Sequence, residues 1–141
     1  MILLDTNVIS ELVKAGPDAR VLACIGRLAP EIVFTAAVCV AEIRYGLARL
    51  PTGHRRDDLT ARITTFLEAG FQDQILPFDA LCATFYGDIR HGREAVGKPI
   101  SVEDAMIAAT ARAYGAQAIA TRNTRDFIDC GVTLIDPWQP L

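Results

Sequence analysis

Asp5, Glu42, Asp104 and Asp126 are the residues in this chain best placed to do chemistry together. They are far apart in sequence, yet each sits where a strand ends, where a helix begins or beside an apolar stripe. Carboxylates that return to one point in a small α/β fold hold hard cations such as Mg²⁺ or Mn²⁺, whose preferred ligands are oxygens. The question for each acid is whether a simpler structural role explains it.

Asp5 follows the apolar run Ile2–Leu4 directly, and acids at strand ends of parallel sheets face the site. The alternative is a turn or N-cap, but Thr6 and Asn7 can also cap, so Asp5 is not required there. Glu42 has Val38, Cys39, Tyr45 and Gly46 at helical neighbour positions. A charge among such residues is costly unless a cation or hydrogen bonds compensate it, and Arg44 or Arg49 is the competing partner. Asp104 shares a helix side with Ile100, Ile107, Ala108 and Ala111. Its competing role is specific: Ser101–Asp104 fits a capping box in which the acid bonds back to the Ser101 backbone. Asp126 lies in a charged loop, where a solvated acid is the ordinary reading. Asn123, in the same loop, is a neutral oxygen donor or a turn residue. Together the acids point to a metal-dependent nuclease.

Other chemistries are poorly supplied. Ser10 and Ser101 are the two serines, and neither lies in a G-x-S-x-G turn. His54 and His91 sit in polar, Arg-containing segments that read as surface. There is no phosphate-binding G-x-x-x-x-G-K-[ST] loop and no G-x-G-x-x-G after a strand.

The elements that must position these residues follow from the apolar pattern. Strands are expected at Ile2–Leu4, Ile32–Thr35, Ile75–Phe78, Ala118–Thr121 and Thr133–Ile135. Helices are expected over Asn7–Lys14, Asp18–Leu28, Val38–Leu50, Arg55–Ala69, from the cap Asp79 to Val96, and from Ser101 to Tyr114. In the second helix, Val21, Leu22, Ile25 and Leu28 form the expected buried face. A short helical turn is expected at Thr124–Ile128. Short apolar strands alternating with helices give an α/β fold, a short parallel sheet flanked by helices on both faces. Ligands of such sheets sit outside the carboxyl ends of the strands, where Asp5 and the segment after Thr121 lie.

Length and composition agree. The 141 residues suit a single domain spanning 1–141. The hydrophobic fraction of 51% is high for this size, which implies either a partner-covered surface, as in a homodimer, or a tight alanine-rich core. The net charge of −3 does not exclude a nucleic-acid enzyme, because acids committed to a metal leave arginines elsewhere to meet phosphate. No apolar run reaches the roughly 18 residues that span a bilayer, and Asp5 interrupts the N-terminus before a signal-peptide core can form. Cys24, Cys39, Cys82 and Cys130 show neither a C-x-x-C pair nor zinc spacing, and cytoplasm is the natural compartment.

Met1–Glu11 resembles the opening of PIN-domain proteins, specifically the VapC toxins of bacterial type II toxin–antitoxin modules. Val40–Gly46 resembles their second motif, Glu103–Ala111 the third and Thr121–Phe127 the fourth. Asp136-Pro137-Trp138 is similar to the ending of the FitB-like branch. The resemblance runs from end to end, and four motifs in order make it specific. It implies a PIN-domain fold (three-layer α/β/α) and a Mg²⁺- or Mn²⁺-dependent endoribonuclease that hydrolyses RNA phosphodiester bonds. Asp5 and Asp104 would be the principal metal ligands, with Glu42 supporting them. Many relatives carry Asp where this chain has Asn123. Others have Asn there and an acid three residues on, which would make Asp126 an outer or second-metal residue. Thr6 or Thr121 would orient the attacking water, and Arg44, Arg49, Arg122 and Arg125 are candidates to grip RNA phosphates, with solvated surface or antitoxin contact as the competing reading. The resemblance also implies a cognate VapB/FitA-like antitoxin covering the site, and a homodimer that assembles on DNA through that antitoxin. The competing readings are a PIN-domain DNA nuclease, a catalytically silent RNA- or protein-binding PIN domain, and a phosphatase using Asp5. The last is disfavoured because Asn7 occupies the second place of the expected D-x-D.

Overall fold

The computed structural model describes residues 1–140. In chain order its elements are β1 (Ile2–Leu4), α1 (Thr6–Leu12), α2 (Ala19–Gly26), β2 (Val33–Ala36), α3 (Ala37–Ala48), α4 (His54–Gly70), β3 (Ile75–Leu76), α5 (Ala80–Ala95), α6 (Val102–Ala113), β4 (Ala118–Ala120) and β5 (Thr133–Ile135). Single 3₁₀ turns occupy Pro30–Ile32 and Thr124–Phe127. All five strands run parallel in the order β3-β2-β1-β4-β5. The chain winds outward from β1 through β2 to β3, then crosses back to place β4 on the other flank of β1.

Alternation along β1 builds a core on each face of the sheet. Ile2 and Leu4 join Val8, Ile9, Val21, Ile43 and Leu67 on one side, beneath α1, α2, α3 and α4. Leu3 and Ile119 point to the other, where Ile89 of α5 and the alanine-rich face of α6 cover them. Ala105, Ala108, Ala109 and Ala111 are fully buried, so small side chains account for part of the apolar surplus. Tyr45, Leu81, Val96 and Val102 remain exposed and account for another part.

Several boundaries differ from the sequence expectation. Pro30–Ile32 forms a 3₁₀ turn, which moves the start of β2 to Val33. The strand expected at Ile75–Phe78 ends at Leu76, because Pro77 has no N–H to continue the ladder. The second helix stops at Gly26, and Leu22 stays 47% exposed rather than joining the buried face. Caps fix the helix starts: Asp18 accepts from Arg20 N, Asp79 from Cys82 N and Ser101 from Asp104 N. No helix among the described residues is long and apolar enough to cross a membrane.

Candidate metal centre

Asp5 leaves the carboxyl end of β1, and its own N–H donates to Ala120 O at 3.0 Å, so it sits between the ends of β1 and β4. Contrary to the sequence expectation, Asp5 is the N-cap of α1: Oδ1 accepts from Thr6 N at 2.8 Å. Capping uses one oxygen only. Oδ2 accepts from the Thr121 hydroxyl at 2.7 Å and from Asn7 Nδ2 at 3.0 Å. The side chain is almost wholly buried, and burial raises its pKa. The Thr121, Thr6 and Asn7 hydrogen bonds lower it again without cancelling that effect, and the Asp126 charge adds to the rise.

Glu42 projects from α3 toward the same point. Its partner is neither Arg44, which donates to Thr64, nor Arg49, which lies over the Tyr45 ring. Instead Oε1 accepts from the Thr6 hydroxyl at 2.7 Å. Burial raises its pKa, the Thr6 bond lowers it, and the negative charges of Asp5 and Glu103 raise it further. Asp104 lies in the first turn of α6. Its backbone N–H donates to Ser101 Oγ at 3.1 Å, but no bond runs from its carboxylate back to the Ser101 N–H, so only half of the expected capping box forms. The carboxylate is left for the cleft. Burial pushes its pKa up to about 6, with the Ser101 hydroxyl opposing and Asp5, Asp126 and Glu42 adding repulsion.

Asp5, Glu42, Asp104 and Asn123 line one open cleft of about 420 Å³, together with Thr6, Asn7 and Trp138. Asp126 stands apart. It is exposed on the Thr124–Phe127 turn and does not line the cleft, and it acts on Asp5 and Asp104 through its charge. Thr6 and Thr121 spend their hydroxyl protons on Glu42 and Asp5, so both orient carboxylates. Sequence reasoning passed over the central part played by Asn7. Its Nδ2 bonds Asp5 and, at 3.3 Å, Thr121, while its Oδ1 accepts from Arg122 N at 3.1 Å, tying α1 to the loop after β4. A side-chain amide two places after a strand-end acid was the available signal.

The donor set fits a hard divalent cation. One oxygen each of Asp5 and Glu42 and the Cys39 sulfur all lie within 4.8 Å of one another. Burial holds the Cys39 thiol up at about 12, so it is a neutral, soft neighbour and the hard donors are the carboxylates. Three acids held above their ordinary range by burial and mutual repulsion are poised to take up protons or a cation.

A parallel α/β sheet with carboxylates gathered at the end of its central strand offers a potential site for a divalent ion at the ligand-binding edge of such sheets. The PIN domain family model matches residues 2–131. The VapC ribonuclease Y4jK of Sinorhizobium fredii is 43% identical over 140 residues, covering 99% of both chains. Toxin FitB of Neisseria gonorrhoeae is 41% identical over 139 residues, again covering 99% of each. A solved structure of FitAB bound to an IR36 DNA fragment superposes with a TM-score of 0.91 at 40% identity, covering 100% of this chain and 98% of that one. The chain belongs to the PIN-domain family, in its VapC/FitB-like toxin branch.

Proposed function

We propose that this chain is a Mg²⁺- or Mn²⁺-dependent endoribonuclease, the toxin of a type II toxin–antitoxin module. The observation that carries the reading is the convergence of Asp5, Glu42 and Asp104 on one open cleft, with every carboxyl held above its ordinary pKa. Asp5 and Asp104 are the principal metal ligands, and Glu42 completes the set. When bound, the ion would supply Lewis acidity, generating a water nucleophile at neutral pH and neutralising charge on the phosphate. The chain's own part is orientation. Thr121 and Asn7 fix Asp5, Thr6 fixes Glu42, and the α6 N-terminus favours the ionised form of Asp104 once a cation is present. Asn123 offers a neutral oxygen at the cleft wall, and Asp126 acts from outside as an outer or second-metal acid.

The relatives named FitB and VapC, and the FitAB structure bound to DNA, support a cognate VapB/FitA-like antitoxin as partner and a DNA-associated assembly; a homodimer that meets DNA through the antitoxin is part of the same proposal. Four free, buried cysteines suit a reducing cytoplasm. The test is incubation of the purified protein with single-stranded and structured RNA in Mg²⁺, Mn²⁺ or EDTA. Cleavage is expected only with metal, and Asp5→Asn should lower it at least a hundredfold (about 2.7 kcal/mol of barrier). Full cleavage in EDTA, or by Asp5→Asn, sinks the reading.

A further inference from the structure

Two cations line the cleft with the acids, Lys14 and Arg122, and they are not equivalent. Lys14 Nζ lies 2.6 Å from Glu11 Oε2, so its charge is already matched. Arg122 makes no ion pair with any described residue within 4.0 Å. Its guanidinium lies over the ring of Trp138, 5.3 Å from the centroid. Its backbone N–H is held by Asn7 Oδ1, the same side chain that bonds Asp5. Trp138 is itself fixed, being 6% exposed with its backbone N–H donating to Asp136 Oδ1 at 3.0 Å.

A guanidinium packed on an aromatic face is engaged through its plane, leaving the N–H donors at its edge for a ligand. Those donors match two oxygens of a phosphate in a bidentate pair. Arg122 is exposed and lines a cleft whose other walls carry Asp5, Glu42 and Asp104, where it is the cation left unmatched to meet an approaching polyanion. We propose that Arg122, seated on Trp138, is a binding site for a backbone phosphate of the RNA strand and sets that strand beside the carboxylate centre. This rests on the nuclease reading for the identity of the strand. Arg122 is thereby a substrate-binding residue, and Trp138 is a positioning residue that acts through it.

The chain has one tryptophan, so its fluorescence reports this spot directly. Binding of a short single-stranded RNA is followed by Trp138 emission in EDTA, where metal-dependent cleavage is off, over a series of salt concentrations. The wild type is expected to show an emission change and a log–log salt slope. Arg122→Gln should weaken binding about tenfold and reduce the slope by about one unit, the loss of one phosphate contact. Arg122→Lys should recover the slope but only part of the affinity, since a lysine keeps the charge without the stacked fork. Lys14→Gln should leave the slope unchanged. A wild-type slope in Arg122→Gln, or an equal loss in Lys14→Gln, overturns the proposal, and thermal melts confirm that each variant is folded. The two readings fail separately. Arg122-dependent binding without metal-dependent cleavage defeats the nuclease reading and upholds the phosphate site. Metal-dependent cleavage with an Arg122-independent slope does the reverse.

Discussion

At the scale of single residues, Asp104 carries the sharpest compromise. Its carboxyl titrates near 6 in the fold against an ordinary value of 3.8, chiefly through burial. A raised folded pKa means that the folded state holds the proton more tightly than the unfolded chain. Stability of the metal-free protein therefore falls as pH rises from 3.8 to about 6, and the penalty is complete above that window. Asp104→Asn removes the penalty and keeps the shape. Allowing for solvent screening of a partly exposed group, it should stabilise the metal-free protein by about 1–2 kcal/mol at neutral pH, with almost no effect near pH 4. Thermal melts at the two pH values read the difference directly, and cleavage by the same variant should collapse. A gain in stability of equal size at both pH values would mean that charge is not its source. This residue also marks the limit of sequence reasoning. The Ser101–Asp104 spacing correctly signalled a helix start, but pattern alone could not say whether the acid would turn back to the cap or out to the cleft.

At the scale of elements, the setting of α6 against the Thr124–Phe127 turn depends on a buried cation that no pattern announced. Arg93 of α5 is 4% exposed, although His91-Gly92-Arg93-Glu94 reads as a solvated face. Its Nε donates to Lys98 O at 2.7 Å, and one terminal nitrogen donates to Asp126 O at 2.7 Å and Ile128 O at 2.8 Å. One guanidinium thus joins the segment leading into α6, which carries Asp104, to the turn that carries Asp126. The individual helices and their caps were legible because caps and apolar stripes are local. A contact spanning 33 residues, such as Arg93 to Asp126, is not. Arg93→Met would leave three carbonyls without their donor, at a cost of about 2–4 kcal/mol. Hydrogen exchange should quicken selectively over residues 96–101 and 124–130, with cleavage reduced, and Arg93→Lys should restore part of both. Exchange rising evenly across the chain would show that Arg93 supports the whole fold rather than these two segments.

At the scale of the whole molecule, the centre lies where the order β3-β2-β1-β4-β5 reverses direction around β1. A parallel sheet with ligands at its carboxyl ends was legible from alternating strands and helices, whereas the strand order was not, because short apolar runs carry no record of their neighbours. That order is what brings Asp5 from the end of β1, Glu42 from α3 and Asp104 from α6 together. Since the three acids come from distant parts of the chain, no subset of elements holds a complete site, and the unfolded chain holds none. On the proposed reading, in which these acids hold the metal, its binding stabilises the entire fold by linkage. Mn²⁺ at a hundred times its dissociation constant should add about 2.7 kcal/mol, a rise in Tm on the order of 10 °C at this chain length. EDTA should reverse the rise, and Asp5→Asn should abolish it. Protons compete with the ion for the same oxygens, so the rise should shrink as pH drops through the region near 6 where Asp104 titrates. A single cooperative melt that shifts with Mn²⁺ in this manner is expected; a shift confined to a minor early transition, or one indifferent to pH, would mean that the ion binds elsewhere and that the three acids do not act as one site.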